Sequence, residues 1–135
     1  MFPYATGFVP PCPAVYVRIV DNRRNVPLPR FLALIDSGAD TSCLPLWVVE
    51  QTADLDYELG LVEGYDGRKR TEKFVRILSA TVDFSDETGT VFVTGKYENL
   101  RLLVISVGLI GRDVLNLHSC QLDGPGLVCR IGDKA

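Results

Sequence analysis

The chain has 135 residues, 47% of them hydrophobic and 12 of them glycine, which suits one domain with its own core and gives no sign of disorder. Its 14 Lys and Arg against 17 Asp and Glu leave a net charge of -3, which argues against nucleic acid as a partner, because phosphate binding rests on clustered cations. No apolar run approaches the roughly 20 residues of a membrane span, so no membrane partner is expected.

Before Ala14, the prolines of Val9-Pro10-Pro11-Cys12-Pro13 disfavour helix and predict an extended segment over residues 1–13. Met1-Phe2-Pro3-Tyr4 has neither the basic lead nor the apolar run of a secretion signal, so a cytoplasmic location is expected. Alternation predicts a strand over Ala14 to Val20, a turn at Asp21 to Asn25 and a return strand over Phe31 to Ile35. Thr41 to Leu44 reads as extended, and Pro45 to Gln51 as a short helix with proline in its first turn. Within it Trp47 reads as core packing.

Leu59 to Glu63 and Arg70 to Leu78 flank Gly64-Tyr65-Asp66-Gly67-Arg68, whose Asp-Gly signals a hairpin. The basic run Arg68-Lys69-Arg70 is set among Glu63, Asp66 and Glu72 and reads as a solvated flank. Strands follow at Ala80 to Phe84 and Thr90 to Thr94, where Asp83 and Asp86 fit strand exposure and turn chemistry. Leu102 to Ile105 reads as a buried strand, followed by a glycine break and a helix running from Arg112 to His118. Leu127 to Ile131 ends the domain as a strand, with residues 132–135 as a tail. Cys12, Cys43, Cys120 and Cys129 have no Cys-x-x-Cys spacing and His118 is the only histidine, so neither metal nor cofactor is expected. The hairpin between Cys120 and Cys129 leaves two options, a disulfide or two reduced thiols.

The chemistry concentrates where the strand Leu34-Ile35 runs into Asp36-Ser37-Gly38-Ala39-Asp40-Thr41. Asp-Ser-Gly is also an ordinary turn. A lone carboxylate near pKa 4 is a poor base, but two carboxylates about 3 Å apart share a proton, so that one acts as base and the other as acid. Asp-[Ser/Thr]-Gly occurs once in the chain, so a second carboxylate would come from a second copy about a two-fold axis.

With Ile110-Gly111-Arg112-Asp113-Val114-Leu115 downstream, the chain resembles the retropepsin-like aspartic proteases over about residues 14 to 131. This single-lobed family includes retroviral proteases and bacterial relatives, and a bacterial-type member is expected. The resemblance implies a mostly β, closed barrel-like fold with one or two short helices, working as a C2 homodimer. It implies that Asp36 is catalytic and that Gly38, Ala39, Asp40, Val62, Gly64, Tyr65 and Leu109 meet a peptide or protein substrate. Leu34 and Cys43 would line subsites with Val62 and Leu109, and the hairpin around residues 64–68 would be a flap. Ser37 would bond across the dimer axis, and Arg112 would pair with Asp40 to tie helix to loop. Ala39 cannot donate to the carboxylate as Ser or Thr would, which implies a milder working pH than that of pepsin. The alternative is a dimerisation or peptide-binding module of the same fold with little or no proteolysis.

Overall fold

The computed structural model describes residues 2–5, 7, 12–63, 66–124, 126 and 128–134. Among them are β1 (Phe2–Pro3), β2 (Ala14–Asp21), β3 (Val26–Pro27), β4 (Phe31–Ile35), β5 (Cys43–Pro45), α1 (Leu46–Glu50), β6 (Asp56–Glu63), β7 (Lys69–Ser85), β8 (Val91–Ile105), β9 (Gly108–Ile110), α2 (Arg112–Leu115), β10 (His118–Asp123) and β11 (Val128–Lys134). Strands β3-β2-β4-β9-β5-β8-β7-β6 form one sheet, and a further pairing of β2 with β7 closes six of them into a barrel. The expected mostly β class, with a closed barrel and short helices, is the one observed.

Alternation explains the barrel wall. In β2 and β4 every second side chain is buried, and Val15, Val17, Ile19, Phe31, Ala33 and Ile35 point into one core with Val75, Ile77 and Phe84 of β7. Most ladders are antiparallel, but β4 pairs with β9 and β5 with β8 in parallel. Leu34 therefore lies beside Leu109, and Cys43 beside both Leu109 and Leu103.

Several boundaries differ from the sequence reading. The strands expected at Arg70 to Leu78 and Ala80 to Phe84 are one strand, β7, whose first half pairs with β6 and whose second half closes the barrel on β2. The strands expected at Thr90 to Thr94 and Leu102 to Ile105 likewise merge into β8, which pairs with β7 along nearly its whole length. The helix begun at Arg112 ends at Leu115, not at His118. Leu117 N–H already closes a tight final turn on the Val114 carbonyl, and His118 opens β10 instead. Pro45 is the N-cap of α1, with extended backbone, and so lies just outside the helix. Trp47 is 41% exposed, not core, because this helix of five residues buries only Val48 and Val49.

A second sheet, β1-β11-β10, packs below the barrel. Phe2 sits opposite Cys129 and is buried in the same core, so this sheet draws on residues either side of the 14–131 span. The His118 imidazole joins sheet to barrel, with Nδ1 on the Gly132 carbonyl at 2.6 Å and Nε2 on the Tyr97 hydroxyl. Cys120 faces Ile131 and Cys129 faces Leu122, so the two sulfurs are not opposite each other and both remain free thiols. Among the described residues no helix is long and apolar enough to cross a membrane.

Candidate active site

Asp36 leaves the end of β4, a strand held on one side by β2 and on the other by β9. Its N–H donates to the Ile110 carbonyl at 2.9 Å, carrying the β4–β9 ladder one residue into the loop. The chain then turns back on itself. Gly38 N–H donates to Asp36 Oδ1 at 2.9 Å, and Ala39 N–H to the Asp36 carbonyl at 3.2 Å. One carboxylate oxygen is thus fixed by the backbone of its own loop, while Oδ2 has no hydrogen-bond partner among the described residues. Asp36 is half-buried; Ser37, Gly38 and Asp40 beside it are exposed.

The loop is locked from behind by Ser42, which is only 1% exposed. Its hydroxyl donates to Asp113 Oδ1 at 2.6 Å and accepts from Gly111 N–H at 3.0 Å, while its own N–H donates to Asp113 Oδ2 at 3.0 Å. Asp113 Oδ1 also accepts from Val114 N–H at 2.9 Å, so one carboxylate binds both the loop and the first turn of α2. Arg112 N–H completes the seam on the Ala39 carbonyl at 2.8 Å. Gly111 permits this approach: a Cβ there would lie 2.8 Å from the Ala39 oxygen.

This arrangement corrects the expected Arg112–Asp40 ion pair. Among the described residues neither side chain enters a salt bridge, and both are exposed. The expectation rested on the cost of a buried, unpaired guanidinium. A solvated Arg112 carries no such cost, and its support of the loop runs through the backbone. Ser42 and Asp113 hold the tie; Asp113 stood in the Gly-Arg-Asp segment without a partner assigned to it, and Ser42 did not stand out. They lie 71 residues apart, and an Asp in the first turn of a helix is commonplace.

Leu34, Leu109, Cys43, Leu103 and Phe74 are register neighbours on five successive strands, forming an apolar row that starts two residues before Asp36. Cys43 is buried, and burial pushes its thiol up to about 11, with the Asp113 and Asp36 carboxylates adding to the effect. At pH 8 its thiolate fraction is then about one in a thousand, too small for a nucleophile. Burial also raises Cys129 to about 11. Alkylation of the native protein with iodoacetamide at pH 8, read by peptide mass spectrometry, should modify the exposed Cys120 while Cys43 and Cys129 stay unmodified; rapid labelling of Cys43 would contradict this placement.

Val62 is half-buried in β6, opposite Arg70 across the hairpin, whereas Gly64 and Tyr65 lie outside the described residues. The other acids found structural work. Asp86 accepts from Thr88 Oγ1 at 2.6 Å and from the Thr88 and Thr90 N–H groups, bonds that lower its pKa, and Asp83 accepts from Thr94. Arg68 and Arg70 pair with Asp66 and Glu72 on an exposed flank. Among the described residues no group of His, Cys, Asp and Glu is placed to hold a metal ion.

No family model matches the chain, and no curated protein matches it. Among solved structures it is similar to EIAV protease complexed with the inhibitor HBY-793, at 25% identity and a TM-score of 0.48, over 78% of this chain and 86% of that one. That structure is a retroviral protease.

Proposed function

We propose that the chain is one half of an aspartic endopeptidase, completed by a second copy that brings its own Asp36 across a two-fold axis. The observation that carries the reading is the Asp36 loop. One carboxylate oxygen is fixed by Gly38 N–H, the other has no hydrogen-bond partner among the described residues, and the loop is anchored through Ser42 and Asp113 to α2. A single such carboxylate has no acid to work with. Two, sharing one proton, let one copy take a proton from water while the other protonates the scissile carbonyl and then assists the leaving amine. No covalent intermediate is needed. The apolar row from Leu34 to Phe74 supports a groove for an extended polypeptide with apolar side chains beside the cut, and the β6–β7 hairpin is the candidate flap.

Incubation with a pool of end-blocked peptides tests this, with cut positions read by mass spectrometry and assembly by sedimentation. Expected are internal cuts between apolar residues, a rate that follows the dimer fraction, and a pH-rate maximum above about pH 3 because Ala39 offers the dyad no hydroxyl. A stable dimer that cuts nothing would favour the binding-module reading instead, and a maximum below pH 3 would refute the role given to Ala39.

A further inference from the structure

Beyond Leu103 the face of the apolar row changes character. Two residues back along β8, the Arg101 guanidinium lies 3.7 Å over the Phe74 ring and its Nε donates to Glu58 of β6. It occupies a notch at Gly60, where a Cβ would stand 2.8 Å from the Phe74 ring and collide with the guanidinium itself. The ring, the carboxylate and the notch immobilise the cation. Only one of its five N–H donors is used among the described residues; the four terminal ones have no hydrogen-bond partner there.

Arg76 of β7 stands directly opposite Arg101 in the ladder, on the same face. Like charges in that relation repel. The carboxylate opposite Arg76 is Asp56, and its Oδ1 is bonded to Arg24 at 2.9 Å. Arg24 takes Asp56 and Arg101 takes Glu58, so Arg76, whose Nη2 donates to the Asn99 amide oxygen at 3.5 Å, has no carboxylate partner among the described residues, and the side chains of Arg76 and Arg101 are both exposed.

We propose that Arg101 and Arg76 form an outer subsite for an acidic side chain of the bound polypeptide. The inference rests on the groove reading given above. Three strand spacings and two residues separate Leu34 from Arg101, a path of roughly 16 Å along the barrel wall, which an extended peptide following it covers in about four to five residues. A carboxylate bridging both guanidiniums would relieve their repulsion and find donors already oriented for it.

The test measures fluorescence anisotropy of labelled, end-blocked peptides with a central Leu-Phe joined by a non-hydrolysable hydroxyethylene link, set among Ala and Ser and carrying one Glu or one Gln at each position from two to five residues out. For the wild-type protein the Glu peptide should bind about tenfold tighter than its Gln twin at one or two positions, the gap narrowing with added salt. The Glu-to-Gln ratio should fall toward one in Arg101→Gln and by about threefold in Arg76→Gln. The second variant leaves the Phe74 stack intact and serves if the first misfolds. Equal binding of Glu and Gln twins by wild type, or a ratio unmoved by either substitution, overturns the subsite and leaves the groove standing. Binding of none of these peptides overturns the groove and the subsite with it.

Discussion

Replacing Asp36 by Asn is expected to lower kcat/KM on any cleaved peptide by at least about a thousandfold, the scale of removing a group that carries both proton transfers. The fold should survive. The amide oxygen of the introduced Asn can still accept from Gly38 N–H, the only hydrogen bond the Asp36 side chain makes among the described residues. Thermal unfolding and sedimentation of the variant should therefore match wild type within about 1 kcal/mol and a few-fold in dimer affinity. A variant that still cuts at a tenth of the wild-type rate would place the chemistry elsewhere, and one that fails to fold would show that Asp36 supports the loop and does not merely sit on it.

The second large effect is expected at the Ser42–Asp113 lock. Ser42→Ala strips Gly111 N–H of its buried acceptor and Asp113 of its shortest donor, and leaving such groups unsatisfied costs about 1 to 3 kcal/mol. Asp113→Ala frees two backbone N–H groups and the Ser42 hydroxyl together, for about 2 to 4 kcal/mol. For a domain of this size the melting temperature should drop by roughly 5 to 15 °C. Because the same bonds hold the Asp36 loop, catalytic turnover measured well below the melting temperature should also fall, and more steeply than binding of a peptide. Arg112→Gln, by contrast, should change stability little, since its side chain is exposed and has no ion-pair partner among the described residues, and its contact with Ala39 is made by the backbone. A melting temperature lowered more by Arg112→Gln than by Asp113→Ala would restore the ion pair first expected.

What could be read in advance was what depends on neighbours in the chain. The alternation of Ala14 to Val20 and Phe31 to Ile35 reports one wet and one dry face, and the strands fall there with errors of a residue at most. Asp66-Gly67 marks the turn between β6 and β7 because Gly67 takes a positive φ of 74° that few other residues accept. Asp36 was legible because strand, acid and glycine are consecutive. The lock on its loop was not, because Ser42 and Asp113 meet only when β9 threads between β4 and β5. Long strands were cut short for a related reason: β7 changes partner from β6 to β2 midway, and its alternation changes with the surface it covers. Trp47 shows the limit of composition, since a large apolar side chain on a single helical turn goes wherever that turn faces.

The proposed pairing of two Asp36 carboxylates is tested by mixing. Wild-type chains are combined with Asp36→Asn chains at fixed total concentration, well above the dimer dissociation constant, and cleavage of one peptide is followed as the mixture equilibrates. If each site needs both carboxylates, activity falls as the square of the wild-type fraction, to about a quarter at equal parts. A straight-line fall to about half would mean that each chain works with its own Asp36 alone, and the paired half-sites would have to be abandoned.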